Sequence, residues 1–147
     1  MLHTVREISI GYSHAVKPSS LPIINSSTKA YNILREIWNK DIEYRETAYI
    51  LLLNKASRLL GYKLISLGGT ATTIIDSKLI YQSILMSNAS AYILAHNHPS
   101  GNLKASAADK KITQQLKESF SILDISFLDH LIVTVEGYYS FADEGNL

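Results

Sequence analysis

Between Leu94 and Asp109 the chain reads Leu-Ala-His-Asn-His-Pro-Ser-Gly-Asn-Leu-Lys-Ala-Ser-Ala-Ala-Asp, which gathers two imidazoles and a carboxylate in a short stretch. His96 and His98 are two residues apart, so at the end of an extended strand they point to the same side and can share one metal ion. Ser106 and Asp109 have the spacing of a capping box. A helix starting there uses Ser106 as N-cap and puts Asp109 at its third position, on the turn that faces back toward the histidines. Two nitrogens and one oxygen make the ligand set of a catalytic zinc site, with the fourth position left to water. Water on such an ion has a pKa near ~7 and becomes a nucleophile at neutral pH, provided a carboxylate from elsewhere takes and returns its proton.

The elements that must hold these residues follow from the pattern around them. The apolar run Ala91 to Ala95 predicts a strand that ends in the histidines, and Pro99-Ser100-Gly101 turns the chain after it. Ile112, Leu116 and Phe120 continue the helix that Ser106 opens. Upstream, Val5 to Tyr12 alternates as a half-buried strand would, and the proline- and serine-rich residues 13 to 26 read as a connection. A helix follows from Ser27, capped by Ser26 or Ser27, with Ala30, Tyr31, Leu34, Ile37 and Trp38 on its stripe. Trp38 is read as a packing residue. Glu46 introduces the unbroken apolar run Thr47 to Leu53, a central strand, and Asn54 to Ser57 turns it into a partner strand, Arg58 to Ser66.

Gly68-Gly69-Thr70 reads as a loop or bulge, since none of the glycine patterns that cradle phosphate accompanies it. Asp76 caps a helix bearing Leu79, Ile80 and Ile84, and Ser126 to Thr134 is a strand that turns at Glu136-Gly137 into Tyr138 to Phe141. The sum is an α/β domain with a mixed sheet and helices against it. His130, preceded by Asp129 in an apolar strand, has two readings, a group that supports a metal ligand from behind or half of a structural pair; the structural reading is preferred and both residues are left out of the site. Specificity would come from the loops Gly68 to Ile75 and Gly101 to Ala105.

Composition narrows the function classes. With 147 residues, 46% of them hydrophobic, the chain has material for one real core. Fourteen Lys and Arg against thirteen Asp and Glu, without a run of like charge, argue against strong nucleic-acid binding. The absence of cysteine excludes disulfides, thiolate zinc sites and cysteine nucleophiles. The first residues lack the apolar core of a signal peptide and no apolar stretch reaches membrane-spanning length, so the expectation is a soluble cytoplasmic protein with no membrane partner.

On these residues the sequence resembles the JAB/MPN metalloprotease domain, whose JAMM signature is a distant Glu, then His-x-His, seven residues, Ser, two residues and Asp. The matching positions are Glu46, His96, His98, Ser106 and Asp109. Within that superfamily the chain looks like the bacterial RadC-like proteins, which share the stretch Ala95 to Asn102, Leu128-Asp129-His130-Leu131-Ile132 and Tyr139-Ser140-Phe141. The resemblance implies a three-layer α/β/α fold related to that of cytidine deaminases. It also divides the chain into a strand-loop-helix extension, residues 1–45, packed on a RadC-like JAB/MPN domain, residues 46–147.

The same resemblance implies roles: His96, His98 and Asp109 hold one Zn²⁺, Glu46 is the general base, and Ser106 helps position or stabilise the developing oxyanion. Two departures stand out. Ala105 replaces the proline that commonly precedes the signature serine, and residues 1–45 lack the glycine-containing hairpins and basic face of the DNA-binding module that longer members carry. Direct DNA contact, and the DNA-repair role in the family's name, are therefore not expected from this segment.

The leading expectation is a zinc-dependent hydrolase of a peptide or isopeptide bond, with a peptide or protein as substrate. A nucleobase deaminase would need His-x-Glu with Cys-x-x-Cys. A metal-dependent nuclease stays open, because two His and an Asp can hold Mg²⁺ or Mn²⁺, although hard cations prefer more oxygen ligands. A non-catalytic MPN interaction module ranks below the enzyme because every signature residue is present. The strand Tyr138 to Phe141 is a sheet edge that leaves room for a homodimer.

Overall fold

The computed structural model describes residues 16–38, 41–68, 75–120 and 123–147, together with Arg6 and Ser9. The strand expected at Val5 to Tyr12 and most of the double-glycine loop lie outside the described residues. After a single 3₁₀ turn at Pro18–Ser20 the order is α1 (Ser27–Trp38), β1 (Thr47–Leu53), β2 (Leu59–Leu67), α2 (Ser77–Met86), β3 (Ala91–Asn97), α3 (Ala107–Ser119), β4 (Ser126–Val133) and β5 (Tyr138–Ser140). The strands form one mixed sheet in the order β2-β1-β3-β4-β5. Among the described residues only β3 and β4 run parallel, and they are the pair joined by a helix, as a parallel connection requires.

The two faces of the sheet explain the runs of apolar residues in β1 and β3. Leu51, Leu53, Ile93, Ala95, Leu131 and Val133 pack under α1 through Ala30, Leu34 and Trp38. Ala48, Ile50, Leu52, Tyr92 and Leu94 pack on the opposite face under Ile80 and Ile84 of α2 and Leu116 of α3. A strand with helices on both sides buries both of its side-chain rows, so alternation disappears and every residue of β3 is buried. This is the α/β/α layering with a mixed sheet.

Helix ends fall where their caps are. Ser26 is the α1 cap, its hydroxyl accepting the Lys29 amide at 3.2 Å, and Asp76 accepts the Lys78 amide at 2.9 Å to open α2. On α3 the buried face is wider than the expected Ile112–Leu116–Phe120 stripe. Leu116 and Phe120 are buried as expected and Ile112 packs half-buried against them, but the buried face also takes in Asp109 and Thr113, because the Thr113 hydroxyl has two buried partners and can leave water without loss. Among the described residues no helix is long and apolar enough to cross a membrane.

Candidate metal centre

β3 delivers its histidines to the face covered by α2 and α3. Tyr92 and Leu94 are buried on that face, and His96 and His98 keep the same parity, so their rings converge with the two Nε2 atoms 3.0 Å apart. His96 is 1% exposed, whereas His98 lies past the strand end and is half-buried.

Asp109 arrives through local chain geometry. Its Oδ2 accepts the Ser106 amide at 2.7 Å while its own amide donates to the Ser106 hydroxyl at 3.1 Å, which is the capping box in full. That leaves Oδ1 directed at His96 Nε2, 3.1 Å away, and Oδ2 at 3.8 Å from His98 Nε2. Burial works to raise the Asp109 pKa, but the neighbouring His96 ring and the Ser106 contacts outweigh it, so the carboxyl stays well below the usual range and is anionic at neutral pH.

Glu46 comes from far away in the sequence, by register. β1 and β3 are antiparallel with Ala48 opposite His96. The ladder ends at that pair, and continuing its alternation by two residues puts Glu46 on the same side of the sheet as the histidines. Glu46, His96 and His98 each offer a ligand atom within 4.8 Å of the others. Gly68, of the loop after β2, donates its amide to the Glu46 carbonyl at 2.8 Å and holds the backbone there.

The segment before Glu46 is pinned by Asn97, the residue between the two histidines. Fully buried on the other side of the strand, Asn97 accepts from the Thr47 amide at 2.7 Å and the Thr47 hydroxyl at 3.0 Å. Its amide group donates to the carbonyls of Ile42 at 2.6 Å and Arg45 at 2.9 Å. Trp38 does more than pack: its indole N–H donates to the Thr47 hydroxyl at 2.6 Å.

His130 requires a correction. It does not sit apart from the site: its Nε2 is 2.9 Å from His96 Nδ1, and its Nδ1 is 2.6 Å from the Thr113 hydroxyl. The reason is again register, since β4 pairs in parallel with β3 and sets His130 opposite Leu94, one inward-facing step from His96. Burial, with His96 beside it, pushes the His130 pKa well down, so the ring is neutral. Asp129 remains structural, accepting the His130 amide at 2.7 Å, the Ser140 hydroxyl at 2.6 Å and the Ala142 amide at 3.0 Å. An imidazole in a strand that is otherwise mostly apolar needs a polar partner once buried, and its position in that strand is the sequence signal pointing to His130.

These residues suit a small tetrahedral cation. At zinc's ligand distances of about 2.0–2.1 Å, tetrahedral ligand atoms are spaced roughly 3.4 Å apart. The three separations among His96, His98 and Asp109, 3.0, 3.1 and 3.8 Å, bracket that spacing. Two nitrogens with one carboxylate are zinc-like donors, and half-buried Glu46 stands across from them.

Comparison with known proteins identifies the family. Residues 24–146 match the family described as RadC-like JAB domain. A UPF0758 protein of Flavobacterium johnsoniae is 43% identical over 122 residues, covering 83% of this chain and 52% of that protein. A UPF0758 protein of Thermotoga maritima is 33% identical over 124 residues, 84% of this chain and 54% of its own length. The UPF0758 protein YfjY of Escherichia coli is 41% identical over 103 residues, 70% and 64% of the two chains. The chain thus spans about half the length of the first two relatives.

Proposed function

Since the chain belongs to the RadC-like JAB family, we propose that it is a zinc-dependent hydrolase that cleaves a peptide or isopeptide bond in a peptide or protein substrate. The observation that carries this reading is the convergence of His96 Nε2, His98 Nε2 and an Asp109 carboxylate oxygen, with the Glu46 carboxylate facing them. His96, His98 and Asp109 would hold the zinc. When bound, the ion would supply Lewis acidity that acidifies water and polarises the scissile carbonyl.

The remaining work falls to the chain itself. The Glu46 carboxylate would take a proton from the attacking water and hand it to the leaving nitrogen, a role suited to a half-buried carboxylate on a held backbone. Ser106 is exposed beside Asp109, and its oxygen already accepts the Asp109 amide, so its own proton would be donated to the developing oxyanion. Asp109, kept anionic, would hold its position through the capping box. A formal net charge of +1 supports a substrate other than nucleic acid.

The test begins with zinc content per chain and turnover on a peptide and isopeptide library. Glu46→Gln should keep the metal and lose about 10²–10⁴-fold in turnover, the range for general acid–base catalysis. His96→Ala and Asp109→Ala should lose both metal and turnover. Full turnover in the Glu46 variant, or no zinc after supplementation, would overturn the assignment.

A further inference from the structure

Hydrogen-bond donation runs in one direction from the ring of His96 to the backbone of Asp109. The Thr113 hydroxyl lies 2.7 Å from the Asp109 carbonyl oxygen and 2.6 Å from His130 Nδ1, and it has a single proton for the two contacts. A carbonyl oxygen only accepts. Two oxygens at 2.7 Å with no proton between them would set lone pair against lone pair, so the hydroxyl proton lies on the Asp109 side. Thr113 Oγ1 then accepts from His130 Nδ1–H.

A neutral imidazole protonated at Nδ1 has its lone pair on Nε2. His130 Nε2 therefore accepts, and His96 Nδ1, 2.9 Å away, must be the donor. This leaves His96 Nε2 without a proton, facing His98 and Asp109. His98 reaches the same state by a shorter route, because its Nδ1 is 2.6 Å from the Asn102 carbonyl, which again only accepts. Both neutral rings thus present Nε2 lone pairs to the point where they converge, 3.0 Å from each other and with Asp109 Oδ1 3.1 Å from His96, a set of acceptors that calls for a cation between them. His130 is fully buried and stacked on Phe141, with ring centroids 4.8 Å apart and planes 7° from parallel, so water has no access to take over the bond.

We propose that Thr113 and His130 are positioning residues of the metal centre: the donor chain His96 to His130 to Thr113 to the Asp109 carbonyl locks His96 in its Nε2-ligating tautomer before any ion arrives. Because the chain of bonds begins on one ligand residue and ends on another, it also ties the spacing of β3 to that of α3. The inference rests on the reading that this site holds a divalent ion, and it is tested on a property that exists without one.

The first measurement is the ¹⁵N–¹H correlation of the histidine rings in the metal-free full chain. His96 and His130 should both carry their proton on Nδ1. Thr113→Val keeps the shape and deletes the acceptor, and it should move both rings toward the Nε2–H form. The same variant should weaken Zn²⁺ binding, read by competition with a chromophoric chelator, by about 10–100-fold, the usual cost of losing an outer hydrogen-bond partner. Thr113→Ser restores the hydroxyl and should recover both the tautomer and the affinity.

An Nε2–H His96 in the metal-free wild type would overturn the proposal without recourse to any variant. Thr113→Val binding zinc as tightly as wild type would also overturn it. A wild type that shows the expected tautomers yet binds no zinc would instead count against the hydrolase reading, leaving the lock itself supported.

Discussion

Asn97→Ala is the substitution whose consequences the structure defines most fully. The wild-type side chain makes four hydrogen bonds at zero exposure, to the Thr47 amide and hydroxyl and to the carbonyls of Ile42 and Arg45. Each such bond contributes about 0.5–1.5 kcal/mol net, and a buried group left unsatisfied costs about 1–3 kcal/mol. The Arg45 contact is only partly buried, so water can replace it, and the Thr47 hydroxyl keeps the Trp38 N–H as a donor. The Thr47 amide and the Ile42 carbonyl have no such recourse. We therefore expect a loss of about 3–4 kcal/mol.

With an unfolding entropy near 2.1 cal/mol/K per residue, a chain of this length loses about 3 °C in Tm per kcal/mol, giving a fall of roughly 10 °C. The segment 41–47 should loosen in step, since these bonds hold it against β3, and Glu46 should drift from the histidines. Urea denaturation and differential scanning calorimetry on wild type and variant measure the first effect. Hydrogen exchange at the Thr47 amide measures the second. Asn97→Asp should fare no better, because it keeps the acceptor for Thr47 but turns an anion toward two carbonyl oxygens. If Asn97→Ala unfolds within 1 kcal/mol of wild type, or Asn97→Asp is neutral, the account of how Glu46 is held is wrong.

Two further predictions separate structural from chemical roles. Ser106→Ala removes the α3 cap and should cost about 1 kcal/mol, whereas Ser106→Gly should cost only a few tenths. If the hydroxyl donates to the oxyanion, both variants should lose turnover alike; turnover that tracks stability instead would make Ser106 a cap and nothing more. Asp129 reports on pH. Burial raises its pKa and outweighs the bonds from the Ser140 hydroxyl and the Ala142 and His130 amides. The folded state therefore holds this proton more tightly than the unfolded chain, whose value is near 3.8. As pH rises from there through the folded pKa, wild type should lose stability relative to Asp129→Asn, and level off above it. Paired urea midpoints across that window check the sign, and a gap independent of pH would refute it.

Much of the site is legible in the chain because two of its parts are local. The alternation of an extended strand puts His96 and His98 on one side wherever that strand sits. The Ser106–Asp109 spacing writes a capping box that turns the carboxylate back along the loop, and the structure contains both bonds of it. The helices too begin at residues that can cap them, Ser26, Asp76 and Ser106. The unbroken apolar run Thr47 to Leu53 marked β1 as a central strand, and the two core clusters on either side of the sheet bear this out.

Backbone periodicity within about fifteen residues accounts for the paired imidazoles, the returning aspartate and most of the helices and strands with their buried faces. What tertiary structure alone decided depends on which strands pair and in which register. Antiparallel pairing of β1 with β3 brings Glu46 to the histidines from about fifty residues away, and parallel pairing of β3 with β4 sets His130 behind His96. No local spacing encodes either, because a slip of one residue in either ladder would turn Glu46 or His130 to the opposite face. Asn97 and Thr113 belong to the same class. Their side chains acquire partners only when separate segments close around them, so their place in the site is a property of the fold.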